Sequence, residues 1–186
     1  MYPLPVVEIV ESYQGFQPPA DTGMLAADLL TTVPEAQLLG LSRVVLTNSA
    51  ALTGARKRAR SRARGRKVRH ATEAAGLYHQ EWRSHPAWIE VFVDRVHENV
   101  PALLLRLAFV RRHLLGFVIY HELGHHLHQT QRPEHREREA VADEWGRRLL
   151  SAHLRERHPL AMSLLKPVAR IGWWAIHHWR RSRSAK

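Results

Sequence analysis

The sequence contains no cysteine. That excludes a disulfide framework and thiolate chemistry, so any bound metal must rest on imidazole and carboxylate. No stretch of about 18 consecutive apolar residues occurs, and a membrane-spanning helix is therefore not expected. The opening residues, Met1-Tyr2-Pro3-Leu4-Pro5, lack the basic flank and apolar centre of a signal peptide, which leads to the expectation of a cytoplasmic protein. At 186 residues the chain is long enough for one domain with a real core and too short for two ordinary ones.

Acidic residues are scarce, 17 against 28 Lys and Arg, for a net charge of +11. The excess is local. Nine of the basic residues fall between Arg56 and Arg69 and four between Arg180 and Lys186, with no acid in either segment. The rest of the chain is close to neutral, so two appendages carry the imbalance. The run 54–70, interrupted by Gly54 and Gly65, is too like-charged to fold on itself and reads as a mobile loop between two strands. Nucleic-acid phosphates are the partner its charge would suit, although the run has no aromatic side chain for stacking on bases.

Histidine, by contrast, is abundant, with fourteen in the chain. Two of them open and close the segment His121-Glu122-Leu123-Gly124-His125, which continues as His126-Leu127-His128. On a helix of about 3.6 residues per turn, positions four apart stand one above the other, so His121 and His125 present their rings to one point. Glu122 can then reach a water in the open position of a metal held there and take its proton. Two imidazoles bind a metal loosely, and catalytic zinc usually has a third protein ligand.

Pro133 ends the first helical pattern, and Pro133-Glu134 suits the first turn of another helix. A short connection makes the two helices antiparallel neighbours. Counted from a turn near Arg132, His125 and Glu139 are level across the hairpin, and Asp143, one turn on, is level with His121. Glu139 is thus the expected third ligand. Asp143 is the expected partner of a ligating imidazole, fixing its tautomer. His128, His135 and Glu144 are the other donors near enough to replace Glu139. A chain rich in His and Glu can produce H-E-x-x-H by accident, so the weight of the reading falls on Glu139 and Asp143 at matching height.

The pair of motifs, H-E-L-G-H-H followed by E-x-x-A-D-x-W-G-x-x-L-L over Glu139 to Leu150, resembles the zincin-fold metallopeptidases of the ImmA/IrrE type. It is also similar, in its E-x-x-A-D part, to the gluzincins that include membrane-bound CAAX-type proteases. Trp145 stands where the ImmA/IrrE pattern has Phe, and Gly146 where it has Ala. The metzincin pattern does not apply, since its third histidine would fall at Gln131. The resemblance implies zinc ligands at His121, His125 and Glu139, a catalytic base at Glu122, hydrolysis of peptide bonds and, as one possible target, a DNA-bound repressor.

Along the chain, residues 1–20 read as an extended lead-in, 21–180 as a single zincin-like metallopeptidase domain and 181–186 as a basic tail. Within the domain the pattern predicts helices from Asp21-Thr22 to Leu30 and over Pro34 to Leu39. It predicts strands at Arg43–Asn48, Gly76–Trp82 and Trp88–Arg95. From Asn99 the pattern is helical, with Leu103, Leu104, Leu107, Leu114, Leu115, Val118 and Ile119 as its apolar face. The second ligand-bearing helix is expected over Glu134 to His158. A last helical stretch, 160–179, carries Trp173, Trp174 and Trp179 as a cap over the core or a partner-binding face. The expected fold is α+β, with a small sheet packed on the active-site helix and on the second ligand-bearing helix.

His79, His85 and His97 read as generic polar residues beside the strands. Tyr120, His128, His153 and His177 are candidate donors to the oxyanion of peptide hydrolysis, and His126 and His128 candidates for touching substrate. An extended substrate would pair with the exposed sheet edge beside the cleft. Two other functions fit the same residues: a nucleic-acid-associated regulatory protease using the basic run 56–69, and a pseudo-enzyme that only binds.

Overall fold

The computed structural model describes residues 7–54, 60–61, 69–70, 74–131, 134 and 138–157. They form an α+β arrangement of a four-stranded mixed sheet, a separate two-stranded ladder and five helices. The strands are β1 (Glu8–Glu11), β2 (Leu41–Thr47), β3 (Arg60–Ser61), β4 (Arg69–His70), β5 (Gly76–His79) and β6 (Ala87–Phe92). The helices are α1 (Thr22–Thr31), α2 (Val93–His97), α3 (Ala102–Leu105), α4 (Ala108–Gln131) and α5 (Arg138–Arg157). The chain divides into two compact units, Met1–Leu150 and Ser151–Lys186. The second includes, among the described residues, only the last two turns of α5. None of the described helices is long and apolar enough to cross a membrane.

The sheet has the order β1-β2-β6-β5. The first three strands are parallel, and β5 returns antiparallel at the edge beside β6. Register assigns the faces: Gly76 pairs with Val91 and Tyr78 with Ile89, while Val44 and Leu46 pair with the same Ile89 and Val91 across the sheet. Residues paired in this way point to one side. That side meets α4, because a Cβ on Gly76 would lie 2.7 Å from Val118. The core follows from it: Val44, Leu46, Ile89 and Val91 from the sheet, Leu115, Ile119, Leu123 and Leu127 from α4, and Leu25 and Leu29 from α1 are all buried. Each such side chain contributes about 1.5–3 kcal/mol by leaving water.

Several elements differ from the sequence expectation, among them the strand expected over Gly76–Trp82, which ends at His79. Residues 8–11, inside the expected lead-in, add a fourth strand to the sheet, with Glu8 to Glu11 in register with Arg43 to Leu46. The strand at Trp88 stops at Phe92 and a helical turn begins at Val93, where Asp94 accepts hydrogen bonds from the Ser49 backbone N–H (3.0 Å) and hydroxyl. Position 94 is thereby held at a chain crossing rather than in a ladder. The leucines read as one apolar face divide: Leu103, Leu104 and Leu107 are exposed, on α3 and the break after it, and burial starts only at Leu115. Within the basic run, read as a loop, Arg60 pairs with His70 and Ser61 with Arg69 as an antiparallel ladder. The expected helix and tryptophan cluster at 160–179 lie outside the described residues.

Candidate metal centre

Helix α4 supplies the histidines from its interior. The helix expected over Glu134 to His158 is described over Arg138–Arg157, as α5, with Glu134 itself in a turn. The two helices meet in backbone contact. A Cβ at Gly124 would lie 2.6 Å from the Ala142 carbonyl oxygen and 2.7 Å from its Cα, a distance no side chain tolerates. One turn away, a Cβ at Gly146 would stand 3.3 Å from the backbone of His121. Glycine at 124, alanine at 142 and glycine at 146 thus let the axes approach closely. Each contact lies beside the residues that matter: 124 between the two histidines, 142 and 146 on the stripe of α5 that carries Glu139 and Asp143.

The consequence is a cluster. His121, His125 and Glu139 each offer one ligand atom, and these lie within 4.8 Å of one another. Glu139 reaches both rings, His125 Nε2 at 3.7 Å and His121 Nε2 at 3.8 Å. Those separations exceed a hydrogen bond. They suit two donors sharing one small cation, since ligands about 2.0–2.1 Å from a zinc stand roughly 3.4 Å apart at the tetrahedral angle and at most about 4.2 Å apart. The rings themselves are perpendicular, with centroids 4.9 Å apart.

Asp143 takes the other side of His121, with its carboxylate 2.9 Å from Nδ1. The contact is an ion-pair distance without hydrogen-bond alignment, and a carboxylate so placed favours the tautomer with the proton on Nδ1, which leaves the lone pair of Nε2 for a cation. Burial, and then the neighbouring His121 ring, pull His125 down to about 4, against the opposing influence of Glu139 and Asp143. His125 is therefore neutral at neutral pH, the form a ligand needs.

Glu122 is buried under the edge strand. A Cβ at Gly76 would lie 2.8 Å from its Cγ and 2.9 Å from its Oε1, so the glycine that opens β5 makes room for this carboxylate. A lone glycine in a strand is the signal of such an approach, and position 76 carried it in the sequence.

The remaining candidates separate clearly. Tyr120, expected among oxyanion donors, is turned to α1 instead: its hydroxyl donates to the Leu29 carbonyl at 2.7 Å and lies 3.2 Å from Thr32. His126, expected on the helix rim or against substrate, is buried, with Nε2 donating to the Leu39 carbonyl at 2.9 Å and Nδ1 accepting from Tyr78 at 3.2 Å. His128 is buried close enough to His125 to disfavour its protonation. His79 is 3.1 Å from the buried Glu90 and stacks on Trp88, while His85 bridges to Trp82 at the hairpin tip. His97 is held below its usual pKa by burial and by Arg111. His153 belongs to the second unit, and His177 and His135 lie outside the described residues.

Comparison with known families, with curated proteins and with solved structures gave no match to this chain.

Proposed function

We propose that the chain is a zinc-dependent metallopeptidase of zincin type, with His121, His125 and Glu139 as ligands and Glu122 as the base. The observation that carries this reading is the cluster of those three side chains, gathered from two helices at cation-sharing distances. The donor set fits zinc, which takes imidazole and carboxylate readily, and there is no thiolate to favour a softer metal. A purely structural ion would leave the burial of a carboxylate at Glu122, adjacent to a ligand, without purpose.

Bound there, zinc would supply Lewis acidity toward a water and toward a peptide carbonyl. The chain supplies the rest. Glu122 takes the proton of the attacking water and delivers it to the leaving amine, and its burial beneath Gly76 keeps its basicity away from bulk water. Asp143, 2.9 Å from Nδ1 of His121, favours the tautomer whose Nε2 lone pair is left for the metal. The antiparallel edge strand β5, whose first residue covers Glu122, offers backbone groups to an extended substrate.

Metal analysis and peptide hydrolysis test this together. The wild type is expected to hold about one zinc per chain, and His125→Ala and Glu139→Ala to lose it. Glu122→Gln is expected to keep the metal and lose hydrolysis by at least about 10²-fold. Intact zinc in Glu139→Ala, or undiminished hydrolysis in Glu122→Gln, would overturn the assignment.

The charge of run 56–69, within which Arg60–Ser61 pairs with Arg69–His70, favours a further role, phosphate binding. DNA affinity that falls steeply with salt and disappears on deletion of 56–69 would place the peptidase on nucleic acid.

A further inference from the structure

Past the end of β5 the chain turns at Trp82 and Arg83 and returns as β6. Gln80, Glu81 and Arg83 from this hairpin and Gln129 from α4, all exposed, line an open cavity of about 410 Å³. Tyr78 and His126 also line it. Both ring nitrogens of His126 are already committed, to Leu39 and to Tyr78, so the charge of the cavity comes from Glu81 and Arg83.

The two are not equivalent. The guanidinium of Arg83 lies over the indole of Trp82, 5.9 Å from the ring centroid, an arrangement that satisfies a cation without a carboxylate. Glu81 forms no ion pair among the described residues, and its charge is near enough to Tyr78 to add to the burial that pushes that hydroxyl up to about 12. The hairpin tip is held in one shape. Trp82 and His85 exchange backbone hydrogen bonds at 3.0 Å around a two-residue turn, and Arg83 sits at φ 55°, where glycine is the usual residue. Trp82, between two residues that line the cavity, is thereby held 64% exposed.

We propose that this cavity receives the arginine or lysine side chain of a peptide, a substrate preference that rests on the peptidase reading. Glu81 accepts from the guanidinium or ammonium, the amide oxygens of Gln80 and Gln129 accept further hydrogen bonds, and the ring of Tyr78 forms an aromatic wall. The cavity lies along the strand that covers the candidate base. Gly76 touches Glu122 and Tyr78 touches His126. At about 3.3 Å per residue, Gln80 is roughly 13 Å beyond Gly76. The side chain received there belongs to a residue roughly four positions from the bond that is cut.

Two measurements test this separately from the peptidase reading. In the first, N-acetyl-arginine amide is titrated into the full chain while the indole N–H resonance of Trp82 is followed. Saturable binding is expected, weakened about tenfold, or 1.4 kcal/mol, by Glu81→Gln and unchanged by Glu139→Ala. Absence of saturation, indifference to Glu81→Gln, or preference for N-acetyl-glutamate amide would overturn the proposal, the last by giving the cavity to Arg83. In the second, the metal-loaded protein is offered peptide pairs that differ only by Arg or Glu at one position. Faster cleavage of the Arg peptide, with the advantage lost in Glu81→Gln, supports the preference, and equal cleavage of both at every position overturns it. If no peptide is cut while the arginine amide still binds through Glu81, the peptidase reading fails and the cation pocket stands.

Discussion

The two sides of α4 treat histidine in opposite ways. Toward α5, His121 and His125 face carboxylates at distances too long for direct hydrogen bonds from their Nε2 atoms, with only His121 Nδ1 closely engaged. Toward β5 and the turn at Leu39, His126 has both nitrogens satisfied by protein groups at 2.9 and 3.2 Å. Adjacent residues of one type therefore have different tasks. An imidazole whose partners complete its hydrogen bonds is a structural tie; one whose lone pair points at a carboxylate it does not reach is ready for a cation. Burial does not distinguish them, since His126 is the more enclosed.

Substitution should break this contrast in a graded way. The largest difference is expected between His125→Ala and His126→Ala: the first abolishes zinc binding, whereas the second keeps zinc and lowers stability by about 1–3 kcal/mol through the unsatisfied Leu39 carbonyl and the lost tie. Metal content beside thermal unfolding of the zinc-free proteins would read both, and loss of zinc in His126→Ala would erase the distinction. Gly124→Ala comes next. Its methyl would meet the Ala142 backbone, which cannot rotate away, so the helices must part at a cost of about 1–3 kcal/mol, with weakened zinc binding. Asp143→Asn removes only the support of His121 and should reduce zinc affinity by about 10–100-fold, measured by competition with a chelator, leaving the fold intact.

The smallest effect concerns pH. Burial holds His97, His113 and His126 below their ordinary pKa in the folded chain, Arg111 adding to the effect at His97. As pH falls through about 6.5, the unfolded chain takes up protons first. Stability of the zinc-free protein should therefore decline between pH 7 and pH 5, and His113→Gln should make that decline shallower. A flat profile would mean that these rings are protonated in the folded chain.

The grouping of His121, His125 and Glu139 was legible in the sequence because it depends on relative height across a hairpin, which tolerates an error in where a helix starts. Glu134 stands in a turn and not in the helix, yet Glu139 remains opposite His121 and His125. The alternation read over 88–95 likewise identified a strand, though it ends at Phe92, and Ile89 and Val91 form its core-facing side. What escaped was set by distant partners. Strand β1 is only four residues long in a proline-rich segment, and its place depends on pairing with β2 more than thirty positions away. His126 is fixed by a carbonyl 87 residues earlier. Tyr120 could be assigned to the site by its position on α4, and only the location of α1 reveals that its hydroxyl is engaged elsewhere.

Glu139 comes from α5 alone, whereas both histidines lie well inside α4. A cation joining these three would therefore act as a clasp between two helices that are otherwise free to open locally. Chelation should then loosen α5 around Glu139 long before it disturbs the imidazoles, and amide hydrogen exchange at 139–142 would quicken while that at 121–125 stayed slow.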